Sequence, residues 1–366
     1  MKLMRVFLFA LMAVLSPARA DAEAVRVTVR PQQVYIERAS SGQLLNFDFL
    51  LENLTADKLR ITAIRVYVFD TRGRLVLKRL LDEHGLSPGI ETIPKTEIAG
   101  RGSLYLFNPF HSFDHALDLK TLKYEFLFAA DNGPILKSEA EVTPVAYRTK
   151  TNLSLPLKGH MVAENGHDFY SPHRRIDLSH PLAQMVGLKA NSARYADDLT
   201  IADENGELHA GDGLRLEDWF GYGATIYSPG AGKIATLVDE IPENTLEAGK
   251  VVFSKTLSPD KPSGIFGNFL LIDHGNGEYS LFAHLKQGSF LVKPGELVKQ
   301  GQPLARIGFS GNTDFVHTHY QLQNSADPAT AEGLPAYFRD FRRVLGSKTV
   351  HVKIGPLEPG LVAEQR

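Results

Sequence analysis

The chain has 366 residues, 43% hydrophobic and 22% charged, with a formal net charge of −2 and no cysteine. Its length predicts two or three domains, each large enough to bury a core. The composition excludes a disordered or collagen-like chain; the near-neutral charge argues against broad nucleic-acid binding; and the missing cysteines exclude a disulfide framework, a cysteine nucleophile and any thiolate metal site.

Residues 1–20 (MKLMRVFLFALMAVLSPARA) begin with Lys2 and Arg5, run apolar from Val6 to Leu15, and end in Ala18-Arg19-Ala20. This is the pattern of a secretory signal peptide cleaved near Ala20. The apolar run is too short for a bilayer core of roughly 30 Å, and no later stretch reads as a transmembrane segment. The expectation is an exported chain, periplasmic or secreted, whose net charge falls from −2 to −5 once the three basic residues of the leader are removed.

Within an expected first domain over 21–148, residues 25–146 alternate apolar and polar side chains at period two, as in Val25 to Val29, Leu45 to Leu50, Ile64 to Phe69, Leu104 to Phe107 and Tyr124 to Phe128. Asp70-Thr71-Arg72-Gly73 has the composition of a hairpin turn. Short strands separated by turns predict a β-sandwich of immunoglobulin-like type. Its only histidines, His84, His111 and His115, form no catalytic cluster. The region reads as an accessory spacer or recognition module, with binding of a regulatory protein partner as one use.

Thr143 to Thr151 is the expected junction. Beyond it glycines multiply and ten of the thirteen histidines occur. A short helix is expected over Ser179 to Leu188 and a helical segment over Tyr337 to Leu345. Residues 347–366, polar and containing prolines, read as a C-terminal tail. The second domain is therefore set at 149–346, and the whole chain is predicted to be all-β.

The densest chemistry lies in Gly311-Asn312-Thr313-Asp314-Phe315-Val316-His317-Thr318-His319-Tyr320. On a strand, His317 and His319 point to one face, so a strand here aims both imidazoles at one cavity. Alone, an H-x-H pair is weak. It is preceded by Phe282-Ala283-His284-Leu285, by Ser171-Pro172-His173-Arg174-Arg175-Ile176-Asp177, and by Arg194-Tyr195-Ala196-Asp197-Asp198. Gly267-Asn268-Phe269-Leu270, Ser228-Pro229-Gly230-Ala231-Gly232 and the turn-rich Val292 to Gln302 stand between them.

In this order the pieces resemble the lysostaphin-type zinc metallopeptidases, which cleave peptidoglycan peptides, over roughly residues 153–335. The resemblance implies a compact antiparallel β core with a groove, one Zn²⁺ held by His173, an aspartate and His319, His317 as general base, and His284 stabilising the transition state. For the aspartate, Asp198 stands first because it fits the family's "R-Y-A-x-D" form. Asp177, which completes an H-x-x-x-D spacing with His173, and Asp197 stay open. His160, His167 and His180 are weaker competitors. Two imidazoles and one carboxylate suit zinc and leave a fourth position for water. The implied reaction is hydrolysis of peptide bonds, in peptidoglycan cross-links rich in small residues, without a covalent intermediate.

Two readings compete. One is a non-catalytic wall-binding or hydrolase-activating module of the same fold, which would lack a ligand or a proton-handling histidine. The other is a lipoyl- or biotinyl-type carrier, for which Val292 to Gly308 supplies a half-motif but no lysine at a hairpin tip between two halves. Arg174 and Arg175 read as solvated charge, with anion contact or orientation of Asp198 as the alternative. Trp219 reads as core or groove wall, and Asn268 as a turn cap.

Overall fold

The computed structural model describes residues 23–131, 133–254 and 263–365. The expected leader 1–20 and its cleavage point lie outside them. Strands dominate, as the alternation predicts, and among the described residues no helix is long and apolar enough to cross a membrane.

In the N-terminal region two antiparallel sheets close over one core. The first joins Val25–Arg30, Asp48–Asn53 and Ser103–Phe107; the second joins Leu136–Val142, Thr121–Ala129, Leu59–Phe69 and Leu75–Asp82. Their inward residues meet as an aromatic cluster in which Phe49 packs edge-on against Phe47, Tyr124 and Phe126. Asp70 makes the hairpin turn: its Oδ1 accepts from the backbone amides of Arg72 and Arg74, both at 2.9 Å. A smaller sheet of Tyr35–Ala39, Gly42–Leu45, Ser112–Phe113 and Val145–Ala146 lies at the side of this core.

The second region is built on one long antiparallel sheet. Its middle runs Gly232–Val238, Asn268–Asp273, Tyr279–Leu285, Thr318–Gln323, Asp197–Ile201 and Met161–Asn165. Alternation buries Leu270, Ile272, Phe282, Tyr320 and Leu322 in one cluster; the opposite face holds apolar Phe269, Leu271, Leu281 and Ala283 on two of these strands and polar His319, Gln321 and Gln323 on the third.

Three expectations change here. Tyr337 to Leu345 is not helical: Phe338–Leu345 is a strand paired with Lys348–Gly355 and Val362–Gln365. The three-residue spacing of Phe338 and Phe341 mimics a helix face. Asp340, at φ +51°, interrupts the pleat between them, so both rings enter the same core. Nor is 347–366 a tail. Val362–Gln365 lies between Phe338–Leu345 and Met161–Asn165 and buries Ala363, so the second domain extends to the end of the described residues instead of stopping at 346. Backbone pairing, which side-chain polarity does not reveal, holds this segment. Ser179 to Leu188 contracts to one helical turn, Pro181–Met185, with His180 as its N-cap.

Candidate active site

Strand register assembles the site. His319 lies opposite Asp198 on one side and Ala283, the neighbour of His284, on the other. Three consecutive strands thus deliver three of the site's side chains. His173 arrives from the loop after Asn165, and its Nε2 stands 3.4 Å from Asp198 Oδ1. The same oxygen is 3.2 Å from His317 Nε2 and 3.1 Å from His319 Nδ1. Ligand atoms of His173, Asp198 and His319 all lie within 4.8 Å of one another. The four histidines and Asp198 line a cavity of about 710 Å³, walled on one side by Ile265 and Phe266.

Each imidazole is oriented by its outer nitrogen. His173 Nδ1 faces the Gly166 carbonyl at 3.1 Å, His317 Nδ1 the Phe315 carbonyl at 3.0 Å, and His284 Nδ1 the Ser310 carbonyl at 2.9 Å. His319 Nε2 faces Gln321 Oε1 at 2.8 Å. An oxygen acceptor there requires the proton on that nitrogen, so in the neutral ring the inward nitrogen carries a lone pair. Three such nitrogens around one carboxylate oxygen repel it unless positive charge lies among them.

The electrostatics agree. Burial by itself raises the pKa of Asp198, but the imidazoles of His317 and His173 outweigh it and hold the carboxyl well below the usual range. His173 is pushed the other way: burial disfavours its charge, and Asp198 overcomes this and raises it. A proton or a cation is what this arrangement calls for. Two imidazole nitrogens and a carboxylate are a fitting donor set for zinc, each ring already held by an outer partner. His284 differs. Burial, reinforced by His317 and His319, pushes its pKa well below the ordinary value and keeps it neutral.

Several devices hold the groups in place. His284 has φ +61°, a left-handed conformation that costs a non-glycine residue about 1–3 kcal/mol and is typical of functional positions. Gly267 and Gly311 touch backbone to backbone: a Cβ on Gly311 would come within 2.3 Å of the Gly267 nitrogen. That approach brings in Ser310, whose carbonyl orients His284. Asn268 is buried and ties Ile241 to the His284 strand through Leu285, so it is more than a turn cap. Phe315 stacks on His317 with centroids 4.2 Å apart, and Trp219 stands behind Phe315 as a wall.

The three aspartates separate by strand geometry. Asp198 faces the histidines. Asp197, one residue earlier, faces the other side and pairs with His167 Nδ1 at 3.1 Å. Asp177 caps its own turn, accepting from the amide and hydroxyl of Ser179, and lies on the groove wall outside the ligand cluster. His160 sits beside Glu364. Arg174 and Arg175 are not solvated charges: Arg174 is fully buried, and Arg175 covers the rings of Phe107 and Phe169.

Gln321 and Gln323 escape the sequence reading. They continue the histidine face of the strand, with Gln321 Nε2 donating to Gln323 Oε1 and Gln323 Nε2 donating to the Ser325 carbonyl at 2.7 Å. Polar residues at 317, 319, 321 and 323 carry that signal in the sequence. Gln321→Leu is expected to weaken zinc binding about 10- to 100-fold, checked by competition with a chromophoric chelator.

The profile of peptidase family M23 matches residues 244–331, less than a quarter of the chain. Over that stretch the chain is similar to the M23 peptidases. The matched stretch contains His284, His317 and His319, while His173 and Asp198 lie upstream of it. Among curated proteins, the chain is 43% identical over 68 residues to peptidoglycan DD-endopeptidase ShyA of Vibrio cholerae, covering 18% of this chain and 15% of that relative. Among solved structures, the catalytic domain of lysostaphin from Staphylococcus simulans is 21% identical, with 31% of this chain and 68% of that one covered and a TM-score of 0.22. A zinc-containing peptidase from Vibrio cholerae is 13% identical, with 82% and 83% covered and a TM-score of 0.25. The match to ShyA thus spans about one seventh of that protein.

Proposed function

We propose that the chain is an exported zinc endopeptidase that hydrolyses peptide bonds in peptidoglycan cross-links. The observation that carries this reading is the convergence of His173, Asp198 and His319 on one point, with His317 and His284 beside it. The M23 match and the relative ShyA, named as a peptidoglycan DD-endopeptidase, support the substrate class. The leader-like residues 1–20 support export to the periplasm or beyond.

His173 Nε2, Asp198 and His319 Nδ1 would hold the zinc, which supplies a Lewis acid for the scissile carbonyl and lowers the pKa of water. His317 Nε2, bare because Nδ1 donates to Phe315, takes the proton of the attacking water and returns it to the leaving amine. The Phe315 ring keeps His317 in that plane. His284 also presents a bare Nε2, since its Nδ1 proton is committed to Ser310. It stabilises the oxyanion as a donor only after gaining a proton; until then it is a second acceptor. The two rings, with centroids 4.9 Å apart, can share the proton that leaves the water. Ile265 and Phe266 limit access of bulk solvent from one side of the groove.

Removing metal from the purified chain with a chelator is expected to abolish solubilisation of purified peptidoglycan, and one equivalent of zinc to restore it. Undiminished release by metal-free protein contradicts the proposal.

A further inference from the structure

The N-terminal region does more than adjoin the groove. Arg174, next to His173, and Arg194, four residues before Asp198, both have 0% exposure, and both turn away from the site toward the same carboxylate. That carboxylate is Asp48, on the strand Asp48–Asn53 of the N-terminal region. Arg174 Nη1 donates to its Oδ1 at 2.6 Å, and Arg194 Nη1 to its Oδ2 at 2.7 Å. Tyr105 adds its hydroxyl to Oδ2 at 3.1 Å. Arg174 further donates to Asn46 Oδ1 and to the Phe47 carbonyl, at 3.2 and 2.7 Å. Arg194 Nε lies 3.5 Å from Glu332.

We propose that Asp48 is a positioning residue for the metal site: by bridging Arg174 and Arg194, it fixes the loop that carries His173 against the strand that carries Asp198. The inference rests on the zinc reading above. Its physical basis is the buried charge. A guanidinium at zero exposure has no water to fall back on, so Arg174 cannot leave Asp48 without stranding a charge, and Arg194 would keep only Glu332, 3.5 Å from its Nε. The planar fork of each arginine fixes direction as well as distance. One carboxylate therefore ties together two segments that approach the metal position from different directions.

A second contact acts in the same sense. Glu37, on Tyr35–Ala39, accepts from His167 Nε2 at 2.9 Å, and His167 Nδ1 meets Asp197, the residue before Asp198. Asn191 Nδ2 donates to the His173 carbonyl at 2.9 Å and closes the loop on the segment that leads to Arg194. The two regions also touch through exposed groups, where Ser40 donates through its amide and hydroxyl to Glu358 at 2.8 and 2.7 Å. That contact serves as a control.

The test compares wild type, Asp48→Asn, Arg174→Met and Ser40→Ala as full chains. Zinc affinity is read by chelator competition, and ligand geometry by the absorption spectrum of the cobalt(II)-loaded protein. Asp48→Asn and Arg174→Met are expected to raise the zinc Kd about 10- to 100-fold and to shift the cobalt spectrum, while Ser40→Ala changes neither. If Asp48→Asn does not fold, Arg174→Met carries the test, because it leaves the Asp48–Arg194 pair charge-balanced. Folded Arg174→Met with a zinc Kd within about twofold of wild type and an unaltered cobalt spectrum overturns the proposal. Hydrogen exchange separates this from failure of the zinc reading. A wild type that binds no zinc overturns that reading alone, and exchange over 166–176 then decides the clamp. Exchange about tenfold faster in Arg174→Met supports it, and unchanged exchange overturns it.

Discussion

His319→Ala is expected to lose both zinc and turnover. His319 lies on a strand paired on both sides, and its ring is aimed by Gln321 so that Nδ1 faces Asp198. Alanine removes one of three donor atoms and leaves two, an imidazole and a carboxylate, where zinc sites keep at least three protein ligands. The loss of affinity should exceed the about 10- to 100-fold typical of an outer partner such as Gln321. Metal analysis of the purified variant checks this. Full zinc occupancy in His319→Ala contradicts the ligand assignment, whatever the activity.

His317→Ala is expected to behave differently: zinc stays and turnover falls. Its Nε2 also lies close to Asp198 Oδ1, at 3.2 Å, but it stands outside the cluster in which the ligand atoms of His173, Asp198 and His319 lie within 4.8 Å of one another. Its proposed role differs because its ring is paired with His284 and stacked on Phe315. Loss of a general base typically costs about 10²- to 10⁴-fold in rate. The measurement is kcat and zinc content on the same preparation. Because His284 presents a second bare nitrogen beside it, the double variant His284→Ala/His317→Ala should lose less than the product of the two single losses, the pattern of groups acting as a unit. Loss of zinc from His317→Ala would make it a ligand instead of a base.

These two histidines show what the sequence makes legible. An H-x-H pair on a strand is a local pattern, and period-two geometry alone places both rings on one face. The same rule, carried two steps further, would have included Gln321 and Gln323. It also separates Asp197 from Asp198 once their strand is known, since adjacent residues face opposite ways. The pattern of the segment could not make that choice, because three aspartates fitted known spacings. Local pattern misleads at 337–345, where two phenylalanines three apart mimic a helix until a left-handed Asp340 lets a strand bury both. The terminal strand Val362–Gln365 is held by pairing with strands on either side, which leaves no mark on its own composition. The Asp48 bridge had no local signal at all. Its partners lie 126 and 146 positions away, and Arg174 and Arg194 look like ordinary charges until their burial is seen.

The central claim is that these residues cut peptide bonds in peptidoglycan. Its most direct test is mass spectrometry of the fragments released from purified peptidoglycan by the zinc-loaded chain, with His317→Ala as control. The account predicts that the wild type alone converts cross-linked peptides to their uncross-linked halves, each cut adding one water, and the fragment masses name the bond. Cross-links left intact by a wild-type protein that holds its zinc, or cut equally by His317→Ala, would contradict it.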